Sequence, residues 1–174
     1  MVSGAVSVTE HIKELDRSHI VETFWPQIRR AAKGYEQRSA LCEELSQDMA
    51  FALWRALGNF DGQCKLNTYV YRVIHNVAVD HIRKYSRQKE DELVEEQAHS
   101  ADSPEVNMQQ QQQQQRLERA IQQLPLSHRQ VMMLKLEGID TAEISDVLGI
   151  SEANVGIRLH RAKAQLTEQL MEKN

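Results

Sequence analysis

One apolar stripe constrains this chain more than any other feature. Val70, Val73, Ile74, Val77, Ala78, Ile82 and Tyr85 fall at i, i+3, i+4, i+7, i+8, i+12 and i+15. An α-helix brings those positions to one side, whereas a strand would scatter them over both faces. The stripe runs for about four turns and must be covered by other elements. Asn67 or Thr68 is predicted to cap its start. The other side of this helix carries Arg72, His75, Asn76, Asp80 and Arg83. Four basic residues follow within residues 83–89. Taken alone, such a run is what a solvated helix end complementing the helix dipole looks like.

The preceding residues supply partners for the stripe. Residues 8–37 form an irregular helical pattern in which Pro26 is a break or a helix start. From Leu41 to Leu57, Leu45, Met49, Leu53, Trp54 and Leu57 recur at helical spacing, and Gly58 is a natural stop. Residues 59–66 make a short polar loop bracketed by Phe60 and Leu66, which pack inward or form a pocket. Seven glycines, three prolines and 5% aromatics are few for a β-sandwich or barrel, so an all-α protein is expected. The 41% apolar content suffices for a packed core. No run approaches the roughly 18 apolar residues of a membrane span, and the first residues lack a secretory pattern. Cys42 and Cys64 therefore read as reduced thiols.

Charge divides the chain into three parts. Residues 1–88 hold 12 basic and 10 acidic side chains. Residues 89–115 hold one basic and seven acidic, ending in an unbroken run from Gln109 to Gln115. Residues 116–174 hold eight of each. The expected organisation is two small helical domains, 8–88 and 116–174, joined by an acidic, Gln-rich linker over 89–115. Ser103, Pro104 and Glu105 make a good helix start, so the Gln tract is a candidate extension of the helix that follows.

The last part is dense in helix punctuation. Leu117, Ile121 and Leu124 form an apolar face ending at Pro125. Ser127 to Gln130 and Asp140 to Glu143 both fit a capping box. Ile144, Val147 and Leu148 belong to a short helix closed by Gly149, and Ser151 caps a longer one. This short helix, Gly-containing turn and apolar Ile150 have the chemistry of a helix-turn-helix, against a generic helix pair. At about 100° per residue, Val155, Leu159, Ala162 and Leu166 face the core, and Ala153, Ile157, His160, Arg161 and Ala164 face away. In a recognition helix, Ala153, Asn154, Ile157 and His160 would meet base edges, Asn pairing with adenine and Ile157 touching a thymine methyl. Arg158, Arg161 and Lys163 would meet phosphates. Gly156 costs roughly 1 kcal/mol in mid-helix, which leaves open whether it serves close approach to DNA.

Together the two modules resemble a bacterial sigma factor of the extracytoplasmic-function (ECF) type over nearly all of residues 10–170. Residues 44–54, Glu-Leu-Ser-Gln-Asp through Trp54, are similar to the family's polymerase-binding helix. Residues 60–83 resemble its promoter-melting and minus-ten segment, with Tyr69 where the family usually has Trp. Residues 124–166 resemble its minus-thirty-five domain, including Leu124-Pro125 and the closing residues 158–163. The resemblance implies that Glu44, Gln47 and Asp48 dock on core RNA polymerase. It implies that a flipped base is held by the loop of Phe60, Gln63, Lys65, Leu66 and Asn67, with Tyr69 an aromatic platform and Arg72 beside it. Asn76, Arg83, Lys84 and Arg87 would line minus-ten DNA. Ser151, Ala153, Asn154, Gly156, Ile157, Arg158, His160, Arg161 and Lys163 would meet minus-thirty-five DNA. The implied partners are core polymerase, promoter DNA and, as in many such relatives, an anti-sigma protein. No cofactor, metal or catalytic residue is implied.

Two rival classes are weaker. A helix-turn-helix regulator with an N-terminal sensing or dimerisation domain would need a ligand pocket, which the polar, basic outer face of residues 72–83 argues against. A small metalloenzyme would need His75 and His81 to share a metal, but six residues place them roughly 240° apart on a helix. No P-loop or nucleophile–base signature appears.

Overall fold

The computed structural model describes residues 14–89 and 108–172, all its regular elements being helices. The start expected at residue 8, the acidic stretch 90–107 and the helix start at Ser103 lie outside the described residues.

In the first half, α1 (Glu14–Thr23) and α2 (Trp25–Tyr35) are the irregular stretch, broken at Phe24. Pro26 sits in the first turn of α2, where its missing N–H would be unpaired anyway. α3 (Ser39–Leu57) and α4 (Leu66–Lys89) pack along each other and on α2. Ile28, Leu45, Met49, Leu53, Leu57, Val70, Ile74 and Ala78 are fully buried between them. The predicted stripe is thus the inner face of α4, with Val73, Val77 and Ile82 packed at its margin.

In the second half, α5 (Met108–Gln122) and α6 (Leu126–Leu136) lead into α7 (Thr141–Leu148) and α8 (Glu152–Met171). The run from Gln109 to Gln115 is helical and almost wholly exposed, extending α5 as a solvated helix end. Val155, Leu159, Ala162 and Leu166 are the buried residues of α8, as its periodicity requires. Gly149 closes α7 at φ +66°, a conformation that favours glycine, and the Ser151 hydroxyl accepts the Asn154 N–H at 3.1 Å.

Several expectations give way to tertiary contacts. α4 begins at Leu66, so neither Asn67 nor Thr68 caps it; both side chains turn instead to Glu143. Ser127 does not cap α6: the helix starts one residue earlier, with Pro125 at the cap and no side-chain cap bond. Asp140 does cap α7, accepting the Glu143 N–H at 2.8 Å, but the Glu143 carboxylate does not complete the box. Gly58 ends α3 in a right-handed conformation, φ −64°, so its freedom to turn left is unused.

The largest departure is His75, expected outward and found 2% exposed, hydrogen-bonded through Nδ1 to the Tyr35 hydroxyl at 2.6 Å. Burial holds its pKa down to about 4, although the Glu137 charge pulls upward. His81 is also buried, with Nε2 2.8 Å from Glu36 Oε2. Burial alone would raise the Glu36 carboxyl, but hydrogen bonds from Arg38 and His81 outweigh it and hold the pKa at about 2. For His75 the unfolded chain binds the proton more readily. Its stabilising contribution is complete above pH 6.5 and is lost as pH falls towards 4. Urea unfolding at pH 7 and pH 5 should show the wild type losing about 2 kcal/mol more stability than His75→Gln across that interval.

Candidate nucleic-acid interface

Burying one side of α3 turns its opposite side outward. Leu45, Ser46, Met49 and Leu53 face the core, so Glu44, Gln47 and Asp48 are exposed together. Sequence reasoning overlooked Phe51, which is 61% exposed with the Arg55 guanidinium 5.7 Å from its ring centre. The spacing 44, 47, 48, 51, 55 places both on the same face and is the signal that could have found them. An exposed aromatic under a cation, inside a polar face, is the composition of an interface anchor.

The loop between α3 and α4 is built around an aromatic pair. Phe60 and Tyr69 lie 4.9 Å apart between ring centres, and the Tyr69 hydroxyl donates to the Ala56 carbonyl at 2.8 Å. Leu66 packs on the core, so of the two bracketing residues it is the one turned inward. Gly62 turns the loop at φ +81°, and Asp61 accepts the Gln63 N–H at 3.1 Å. Gln63 and Lys65 are exposed. Further along α4, Asn76, Arg83 and Arg87 form a straight exposed row, with Lys84 beside it. Asp80 stands in that row, 4.0 Å from Arg83. A groove of about 710 Å³ opens between this row and the start of α6, lined by Asn76, Val79, Asp80, Arg83, Leu126, Ser127 and Gln130.

Asn67 and Arg72 do not join that open row. Asn67 Nδ2 donates to Glu143 at 3.2 Å, and Arg72 donates to the Asp146 carbonyl at 2.9 Å. Both acceptors belong to α7.

On α8 the expected reading face is open. Ile157 is 52% exposed, and Ala153, His160, Arg161 and Lys163 are exposed with it. Asn154 and Arg158 are half-buried and bonded to each other, Arg158 Nε donating to Asn154 Oδ1 at 3.1 Å. A Cβ on Gly156 would meet nothing within 4 Å, so packing inside the protein does not require glycine there. His75 and His81 each have their own protein partner. Among the described residues no three His, Cys, Asp or Glu side chains converge as a metal site, and no helix is long and apolar enough to cross a membrane.

Comparison with known proteins matches both halves. The Sigma-70 region 2 family covers residues 20–88, and the Sigma-70, region 4 family covers residues 114–166. RNA polymerase sigma factor SigZ of Bacillus subtilis (strain 168) is 25% identical over 157 residues, spanning 87% of each chain. ECF RNA polymerase sigma factor SigW of the same organism is 25% identical over 142 residues, 74% of each. In fold, the chain is similar to the sigma factor RpoE in its co-crystal structure with the anti-sigma factor NepR from Bartonella quintana. The TM-score is 0.70 at 20% identity, covering 88% of this chain and 95% of that one. Regions 2 and 4 stand in family order along one helical chain, so the protein belongs to the sigma-70 family, as an RNA polymerase sigma factor of the ECF type.

Proposed function

We propose that this sigma factor divides promoter recognition among the three faces described. The α3 face of Glu44, Gln47, Asp48 and Phe51 docks on core RNA polymerase. The Phe60–Tyr69 loop and α4 open and read the minus-ten element, and α8 holds the minus-thirty-five duplex. The observation that carries this is the outward set of Glu44, Gln47, Asp48 and Phe51, because no packing among the described residues explains an aromatic there. Flipping a base costs a few kcal/mol of stacking, which an aromatic pair can offset. The open row Asn76, Arg83, Arg87 with Lys84 supplies amide and cationic contacts to the neighbouring DNA. The RNA chemistry belongs to the polymerase, so the protein is not itself an enzyme, and it works in the cytoplasm where that polymerase is found. An anti-sigma partner is part of this reading, supported by the fold shared with RpoE, which was crystallised with NepR.

With a bacterial core enzyme, the protein should yield a promoter-specific run-off transcript; no product on any selected sequence would refute the reading. Gln47→Ala with Asp48→Ala should weaken core binding about tenfold, and Phe51→Ala similarly. All three positions are exposed, so the unfolding midpoint should not move. In the holoenzyme, Arg161→Ala should weaken all minus-thirty-five sequences alike and lower the salt slope by about 1. A changed sequence preference would instead make Arg161 a base reader.

A further inference from the structure

One bond in the first turn of α8 governs what its amide can read. Ser151 caps the helix and accepts the Asn154 N–H at 3.1 Å, which anchors the backbone at that residue. One turn on, Arg158 Nε donates to Asn154 Oδ1 at 3.1 Å, the i, i+4 spacing placing the two side chains side by side. Both are half-buried, while Ile157 and Arg161 beside them are exposed. The first turns of a recognition helix are the part that reaches base edges, so the orientation of this amide decides which base Asn154 meets.

A guanidinium carries donors alone and keeps its protons at any working pH. The Asn154 atom facing it is therefore the amide oxygen, and no titration reverses the choice. Adenine needs that oxygen to accept its N6 amino group while the amide nitrogen donates to N7. With Arg158 bonded to the oxygen, an incoming amino hydrogen meets a cation. The same bond draws charge from the oxygen and strengthens the N–H donors. What the pair turns to a base is thus donors only. The major-groove edge that offers acceptors only, in adjacent positions, is guanine O6 with N7. We propose that Arg158 is a positioning residue that sets Asn154 to read guanine, in place of the adenine that the residue type alone suggests. The guanidinium nitrogens beyond Nε remain for a phosphate, so a backbone contact and a base contact are held in one chain of bonds. This inference rests on the functional reading above, because it takes α8 as the helix that meets minus-thirty-five DNA.

The test is selection of minus-thirty-five sequences from a randomised library by holoenzymes carrying the wild type, Asn154→Ala or Arg158→Met. Asn154→Ala should erase the preference at one base pair and so identify the position read. There the wild type should favour guanine over adenine about tenfold. Arg158→Met keeps an unbranched stem and removes the donors. It should weaken all sequences through the lost phosphate contact and, at that one position, bring adenine level with guanine. A side chain that merely supports the helix would lower affinity without moving one base preference. Adenine at the Asn154-dependent position of the wild type would overturn the inference, and that result does not depend on any Arg158 variant folding. So would the absence of any position that depends on Asn154, or a guanine preference that survives Arg158→Met. Failure of the wild-type holoenzyme to enrich any upstream element would overturn the functional reading, and the inference with it.

Discussion

Burial of the α4 stripe sets where everything else can go. A 24-residue helix with one apolar side needs a cover along most of its length. α2 and α3 supply it, through Ile28, Leu45, Met49, Leu53 and Leu57. Once those side chains turn inward, Glu44, Gln47, Asp48 and Phe51 must turn outward on α3, and Asn76, Arg83 and Arg87 on α4. Two chemically different faces follow from one packing decision. The buried polar pairs, Tyr35 with His75 and Glu36 with His81, fix the end of α2 and the residue after it against α4.

Periodicity made the core legible. The stripe on α4, the α3 set and the four buried positions of α8 could all be read from spacing, because burial selects residue type at every turn. The turn chemistry at Gly149 and Ser151 was legible for a related reason: few side chains satisfy a left-handed close or an orphan N–H. What could not be read were side chains that exchange a local partner for a distant one. Asn67, Thr68 and Glu143 each suit a helix start, yet they bond to one another across 75 residues or more of chain. His75 looks like a surface residue until Tyr35, 40 residues away, is known to be its partner. Among the site residues, the open faces of α3 and α8 follow from helix geometry, whereas the covering of Asn67 and Arg72 is a tertiary fact with no local signal.

A net charge of −4 sits oddly on a promoter-binding protein until it is resolved in space. The acid is concentrated in residues 89–115, while cations are grouped at the end of α4 and along α8. Two of the acids outside that stretch, Glu137 and Glu143, face donors of the first domain.

The measurement that bears most directly on the central claim is selection of promoter DNA from a random library by the holoenzyme reconstituted from this chain and a bacterial core polymerase. The account predicts enrichment of two short elements at minus-ten and minus-thirty-five spacing, with the upstream element's sequence altered when Ile157 is replaced by Ala. Recovery of sequences no different from those bound by core polymerase alone would contradict it.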